Sequence, residues 1–268
     1  MSSSRSRYWQ DLTCEELDAM AGAESVALLP LAAIEQHGGH LPLSTDLDIG
    51  NGLVEAALQR LPAALPVWVL PAMAVGLSLE HTAYPGTLSL PPETAIAYVV
   101  AQGEAVARAG IRRLVLFNSH GGNKAIMDIA ALKLREACGL LVVKATYTRF
   151  ALPAEALPAE ELRHGLHGGA LETAMMLHLA PHKVRRDAIP HAISLGQRLA
   201  EAGSTLGPEG EAGFAWMAHD LNPRGVTGNA RLADAAMGER LVSHYATRLA
   251  ALIEETQRFD LAVLDRRA

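Results

Sequence analysis

The sequence predicts an α/β fold with a mostly parallel sheet covered on both faces. Short apolar runs alternate along the chain with segments of helical spacing, the pattern of strands joined by crossover helices. The 268 residues suit one large domain, spanning 1–268, better than two small ones. Half of the residues are hydrophobic and 19% are charged, an ordinary globular balance that allows a sizeable core.

Each element follows from a local signal. Thr13 opens "TCEELDAMA" with Glu16 three residues on, a capping box that predicts a short helix. Val26 to Ala33 reads as a buried strand, and Asp46 to Leu61 as a helix ended by Pro62. Val67 to Leu70 is a short strand, followed by the polar loop "GLSLEHTAYPGTLSL" with a turn at Tyr84-Pro85-Gly86-Thr87. Pro91-Pro92-Glu93-Thr94 opens a helix that runs to Gly110. Arg113 to Phe117 is another buried strand; "NSHGGN" follows it, then a helix over Lys124 to Cys138 with Asn123 as a candidate N-cap. Leu140 to Thr146 is a strand and Leu171 to Leu179 a helix. Gly203 to Asn229, rich in glycine and polar residues, reads as a long functional loop, and Leu232 to Phe259 as a long amphipathic helix.

Composition excludes several function classes. The net charge of −6 and a pI near 6.0, with no block of like charge, give nucleic-acid binding little support. Cys14 and Cys138 stand far apart in no CxxC pattern, which favours a reducing cytoplasm over a disulfide framework. The start, "MSSSRSRYWQDLT", lacks the apolar segment of a signal peptide. The longest mostly apolar stretch, Leu65 to Leu79, is too short and too interrupted to span a bilayer. There is no GxSxG elbow, Walker A motif or GxGxxG fingerprint, and Cys138 has no evident histidine partner.

The chemistry gathers after predicted strands. In parallel sheets the ligand crevice lies at the carboxyl ends of the strands. "IEQHGGH" and "NSHGGN" each follow a strand, so both loops should open on one edge. Glu35, His37 and Asp46 are ligand types for zinc, manganese or iron, and a bridging carboxylate permits a two-ion site. A lone ExH reads more simply as a polar loop. The buried strand before it, Asp46 at a helix start and His120 from a second strand end together favour a metal site. His40 reads as a residue behind the ligands, orienting one of them or bonded to backbone. Gly121 and Gly122 let backbone approach a bound group, or simply make a tight turn. In "HGLHGGALETA", His167 and Glu172 read as a loop residue and a helix-start charge when taken alone. Ser78, Glu80 and His81 divide evenly between structural and substrate-pocket readings.

Taken in order, "IEQHGGHLPLSTD", "EHTAYPGTLSL", "NSHGGN", "HGGALETAMML" and "GVTGNARLADAAMGE" resemble the creatininase (creatinine amidohydrolase) family over about residues 20 to 250. The resemblance implies a three-layer α/β/α sandwich with a mostly parallel central sheet. It also implies a metal-dependent amidohydrolase that breaks a non-peptide or cyclic C–N amide bond with a metal-activated water. Homo-oligomers, hexamers included, are expected. The family's ligands fall on Glu35, His37, bridging Asp46 and His120, its proton-shuttling histidine on His167 and its following glutamate on Glu172. One or two divalent ions are expected, zinc first, with manganese or iron as alternatives. The family's creatininase proper carries a tyrosine and a metal-binding glutamate after the histidine matched by His120, where this chain has Gly121 and Gly122. The expectation is that Glu172 supplies that carboxylate, as ligand or catalytic group, or that a second ion binds weakly. No tryptophan lies between His120 and Glu172 to wall a creatinine pocket, and Trp216 is the candidate replacement. Ser78, Gly121, Gly122 and Trp216 are thus the candidate substrate contacts. Competing substrates are a formamide on a pyrimidine nucleotide, with Arg149, Arg163 and Arg224 as candidate phosphate ligands, and a peptide, as in the peptidase that trims the mycofactocin precursor. A metal-binding assembly protein is the non-enzymatic alternative, with little need for His167.

Overall fold

The apolar runs form a four-stranded parallel sheet in the computed structural model, which describes residues 6–153 and 156–264. Residues 1–5, 154–155 and 265–268 lie outside these, and with them the first part of the stretch read for a signal peptide and both ends of the expected 1–268 domain. The strands are β1 (Val26–Leu31), β2 (Val67–Val69), β3 (Arg113–Asn118) and β4 (Leu141–Thr146), in the order β2-β1-β3-β4. The helices are α1 (Cys14–Met20), α2 (Thr45–Leu58), α3 (Pro92–Arg108), α4 (Lys124–Cys138), α5 (Ala159–His164), α6 (Ala170–Leu179), α7 (Leu195–Glu201), α8 (Ala218–Leu221) and α9 (Ala235–Arg258). The capping box of α1 is present: Glu16 N–H donates to Thr13 Oγ1 and Thr13 N–H to Glu16 Oε2.

Alternation along the strands divides the core into two halves. Val26, Leu28, Val67, Val69, Val115 and Phe117 meet α2, α6 and α9 on one face. Ala27, Leu29, Leu31, Trp68, Leu114 and Leu116 meet α3 and α4 on the other. This is the expected three-layer α/β/α sandwich. Each buried Leu or Val contributes about 1.5–3 kcal/mol of burial free energy, which is why these short strands hold as the central layer.

Strand order sets the position of the site. The chain leaves β1 to one side to form β2, then crosses to the other side to form β3. The crevice at such a switch point opens beyond the carboxyl ends of β1 and β3. Leu31 pairs with Asn118, which pairs with Thr146, so the loops after β1, β3 and β4 begin at one level.

Several local expectations shift. Asn123 makes no capping bond to α4; its amide donates to Ala32 O and accepts from Leu77 N–H, tying three loops together. The Gly203–Asn229 stretch holds α8 and a two-residue pairing of Leu206–Gly207 with Ala212–Gly213. Helices α5 and α7 were not foreseen; α7 is capped by Ser194, whose hydroxyl accepts from Gln197 N–H.

Candidate metal centre

Three loops and two helix starts converge beyond β1 and β3. Glu35 and His37 come from the loop after β1, Asp46 from the first turn of α2 and His120 from the turn after β3. His167 precedes α6, and Glu172 lies in its first turn. Glu35 and His37 are fully buried, and Asp46 and His120 nearly so.

Backbone carbonyls fix which nitrogen of each imidazole faces inward. His37 Nδ1–H donates to Glu35 O (3.1 Å), turning Nε2 inward, 3.6 Å from Asp46 Oδ1 and 3.9 Å from Glu172 Oε2. His120 Nε2–H donates to Leu77 O (2.8 Å), so its Nδ1 points between Glu35 Oε1 and Asp46 Oδ2, 3.2 Å from each. His167 Nε2–H donates to Gln36 O (2.7 Å), and its Nδ1 lies 3.6 Å from Glu35 Oε1. Holding one nitrogen by a carbonyl to present the other is the usual way a ligating histidine is oriented.

The structure adds three residues to the expected set. Gln36 Oε1 accepts from Gly38 N–H, while its Nε2 donates to Gly225 O (2.7 Å) and to His81 Nδ1 (2.8 Å). His81 therefore carries its proton on Nε2, 3.5 Å from Glu35 Oε1. Glu80 brings a further carboxylate, with Oε1 3.7 Å from His120 Nε2. The sequence leaves Glu80 and His81 evenly divided between structural and substrate-pocket readings, because nothing local to "LEHTAYPGT" shows that its loop docks against His120.

Other expected residues are placed as follows. Gly121, Gly122 and Trp216 line a cavity of about 600 Å³ that opens onto Glu35, Asp46, His120, His167 and Glu172. Ser78 does not line it: its side chain is buried, with Oγ 3.3 Å from His120 Nε2, where it braces the imidazole. His40 is buried and bonds to Thr173 Oγ1 (3.0 Å), one residue from Glu172, and to none of the convergent side chains. Of the three candidate phosphate-binding arginines, only Arg163 lines the cavity, together with Lys124.

Glu35 Oε1 and Oε2, His37 Nε2 and Asp46 Oδ2 are buried without a hydrogen-bond partner. Unpaired buried charge is costly, so a proton or a cation must sit among these atoms. Two groups of three ligand atoms, Glu35–Glu80–His120 and His37–Asp46–Glu172, each lie within 4.8 Å of one another, and Glu35–His37–His167 forms a third. The donor set of imidazoles and carboxylates suits a divalent ion.

Without a cation, protons fill the gap. Burial alone would lower the His37 pKa, but Asp46, then Glu172 and Glu35, raise it to about 9. Burial raises Glu172 to about 7, against the pull of His37. Asp46 is held well below the carboxylate range, because His37 and His120 outweigh its burial. A cation needs His37 Nε2 bare, so loading at pH 7 must displace protons. Affinity should therefore rise with pH up to about 9, by about tenfold per pH unit for each proton displaced. Calorimetric titration with zinc in buffers of different ionisation heat should detect at least one proton released at pH 7. Uptake that is independent of buffer and pH would contradict this electrostatic picture.

This geometry has relatives. The creatininase family profile, described as creatinine amidohydrolase, matches residues 10–253. A mycofactocin precursor peptide peptidase of Mycobacterium tuberculosis (strain CDC 1551 / Oshkosh) is 35% identical over 166 residues, covering 60% of this chain and 61% of that protein. The match thus spans about three fifths of the length of that relative. A creatinine amidohydrolase of Pseudomonas putida is 31% identical over 203 residues, 69% of this chain and 76% of that one. A crystal structure of creatinine amidohydrolase superposes with a TM-score of 0.76 at 25% identity, over 96% of this chain and all of that one. A manganese form of creatininase gives the same score and identity over 95% of this chain. With the family pattern matched along most of its length, its sheet order and its convergent acid–imidazole set, the chain belongs to the creatininase family.

Proposed function

We propose that this chain is a metal-dependent amidohydrolase, a single domain that cleaves a C–N amide bond. The observation that carries the reading is the set of orphaned, buried, convergent atoms on Glu35, His37 and Asp46, which a divalent ion would satisfy. Glu35, His37, Asp46, His120 and Glu172 would hold one or two ions, zinc first, with manganese or iron able to use the same donors. Such an ion supplies Lewis acidity, making water a nucleophile near neutral pH and polarising a carbonyl. The protein's own groups then act on protons and charge. His167 is kept neutral by burial and by His37 and His81, and its bare Nδ1 faces the cavity. It takes a proton from the attacking water and passes it to the leaving nitrogen. His81 is also neutral, its pKa lowered to about 3 by burial and by His120 and His37. Its Nε2–H is aimed at the same region and donates to the oxygen that gains charge.

Among amides, a short peptide suits the site better than creatinine. The cavity, about 600 Å³, is generous for a single small ring. Leu152, Leu162, Leu166 and Trp216 offer apolar contacts along it. Arg163, exposed and without an ion-pair partner among the described residues, offers a contact for a carboxylate. The M. tuberculosis relative is named as a peptidase, which supports the same choice. The reading also proposes a cytoplasmic location, which the two free cysteines suit, and a homo-oligomer, as the family resemblance implies.

A hydrolysis screen of the metal-loaded protein tests this. Short peptides, creatinine, formamides and lactams should give turnover of at least one amide, peptides foremost, abolished by chelation and restored by zinc or manganese. Stoichiometric metal with no turnover of any of these would favour a metal-binding assembly protein instead.

A further inference from the structure

Gly122 marks an unusually close approach of two loops. A Cβ built there would lie 2.3 Å from Leu77 O, 2.5 Å from His120 Nε2 and 2.6 Å from Glu80 Oε1. Two of these contacts are with backbone and with an anchored ring, so no side chain fits without moving the loop. The space beside His120 that a residue at 122 would fill is taken by the Glu80 carboxylate. This is not a chance pose of a mobile surface chain. Its short 3₁₀ turn, Leu79–His81, is held by Leu77 N–H to Asn123 Oδ1 (3.0 Å), Ser78 N–H to Ser89 Oγ (2.9 Å) and His81 N–H to Ser78 O (3.1 Å). Glu80 lines the cavity, its side chain is 20% exposed, and His120 is its one polar partner among the described residues.

We infer that Glu80 is a metal ligand, completing one ion site with Glu35 and His120, while Glu172 completes the other with His37 and Asp46. Glu35, Glu80 and His120 each present a ligand atom within 4.8 Å of the others, as do His37, Asp46 and Glu172. Both oxygens of Glu35 are buried and unpartnered, so the first group holds an unmet demand for positive charge. Asp46 lies between the groups, with one oxygen toward His37 and the other toward His120. On this assignment Glu172 does not stand in for a carboxylate at position 122; Glu80 does, from a different loop. Glycine at 122 is the steric condition for that loop to dock. The inference rests on the metal reading above.

The test is zinc and manganese titration of the full chain and of Glu80→Gln, followed by calorimetry and elemental analysis. Glutamine keeps the shape and removes the charge, and the metal-free melting temperature should be unchanged because Glu80 accepts no hydrogen bond among the described residues. The expected result is two equivalents in the wild type and, in the variant, one site lost or weakened at least tenfold, with a smaller rise in melting temperature on loading. Equal stoichiometry and affinity in the two proteins would overturn the role of Glu80 and leave the metal reading standing. A wild type that binds neither ion would overturn both.

Discussion

Asp46→Ala should fold, bind divalent ions at least about a hundredfold more weakly and lose turnover to background. The carboxylate is 2% exposed and sits in the first turn of α2, between the two halves of the centre. It lies 3.6 Å from His37 Nε2 and 3.2 Å from His120 Nδ1, and among the described residues it is the one carboxylate within 4 Å of both of these nitrogens. Removing it strips each half of one donor and takes away the charge that outweighs burial at His37. The His37 pKa should then fall from about 9. Fewer protons would be displaced on loading, but far less cation would be held. Asp46→Asn separates charge from shape: it should lose metal nearly as completely while keeping the fold, with a lower melting temperature of the metal-free protein near pH 7 because the buried His37 loses its partner charge. The readings are metal content after dialysis and kcat/KM on whichever amide is hydrolysed. A variant that keeps both metal and rate would remove Asp46 from the centre and leave the convergence of His37 and His120 unexplained.

The parts legible in the sequence were those with short-range causes. "VALLPL" and "RLVLF" read as buried strands because burial on both faces demands continuous apolar residues, and strand ends in a parallel sheet face one crevice. That was enough to bring Glu35, His37 and His120 to one edge, with Asp46 at a helix start. What escaped depends on contacts distant along the chain. Gln36 bonds to His81, 45 residues away, and to Gly225, 189 residues away, and nothing local to "EQH" announces either. Glu80 reaches His120 only because position 122 has no side chain, which a single sequence cannot reveal. Ser78 looked like a substrate contact because it lies in a polar loop, yet the docking of that loop turns it under His120. Helix α5 is six residues long and mostly polar, without apolar periodicity. Its function is structural: Glu161 accepts from Ala170 N–H and Asn229 N–H, fixing the start of the helix that carries Glu172.

His167→Ala should retain its metal and lose about 10²–10⁴-fold in kcat, with a much smaller change in KM. The argument turns on which nitrogen holds the proton. His167 Nε2–H is committed to Gln36 O at 2.7 Å, and the ring stacks between His37 and His81, with centroids 4.1 Å from each. Burial and those two neighbours keep the imidazole neutral, so its inward nitrogen is a lone pair ready to accept a proton. His81, pinned by the side chain of the same Gln36, presents an N–H instead. One glutamine thus sets an acceptor and a donor side by side, one through its backbone carbonyl and the other through its amide. The competing role for His167 is direct ligation, since its Nδ1 also groups with Glu35 and His37. The two roles separate cleanly. A proton carrier, when removed, leaves metal content intact, and the loss falls on kcat for substrates with poor leaving amines. It falls much less on activated anilides, whose nitrogen leaves without full protonation. A ligand, when removed, lowers metal content and slows all substrates alike. Metal loss in His167→Ala, restored by raising the zinc concentration together with full activity, would make His167 a ligand and end its assignment as the proton carrier.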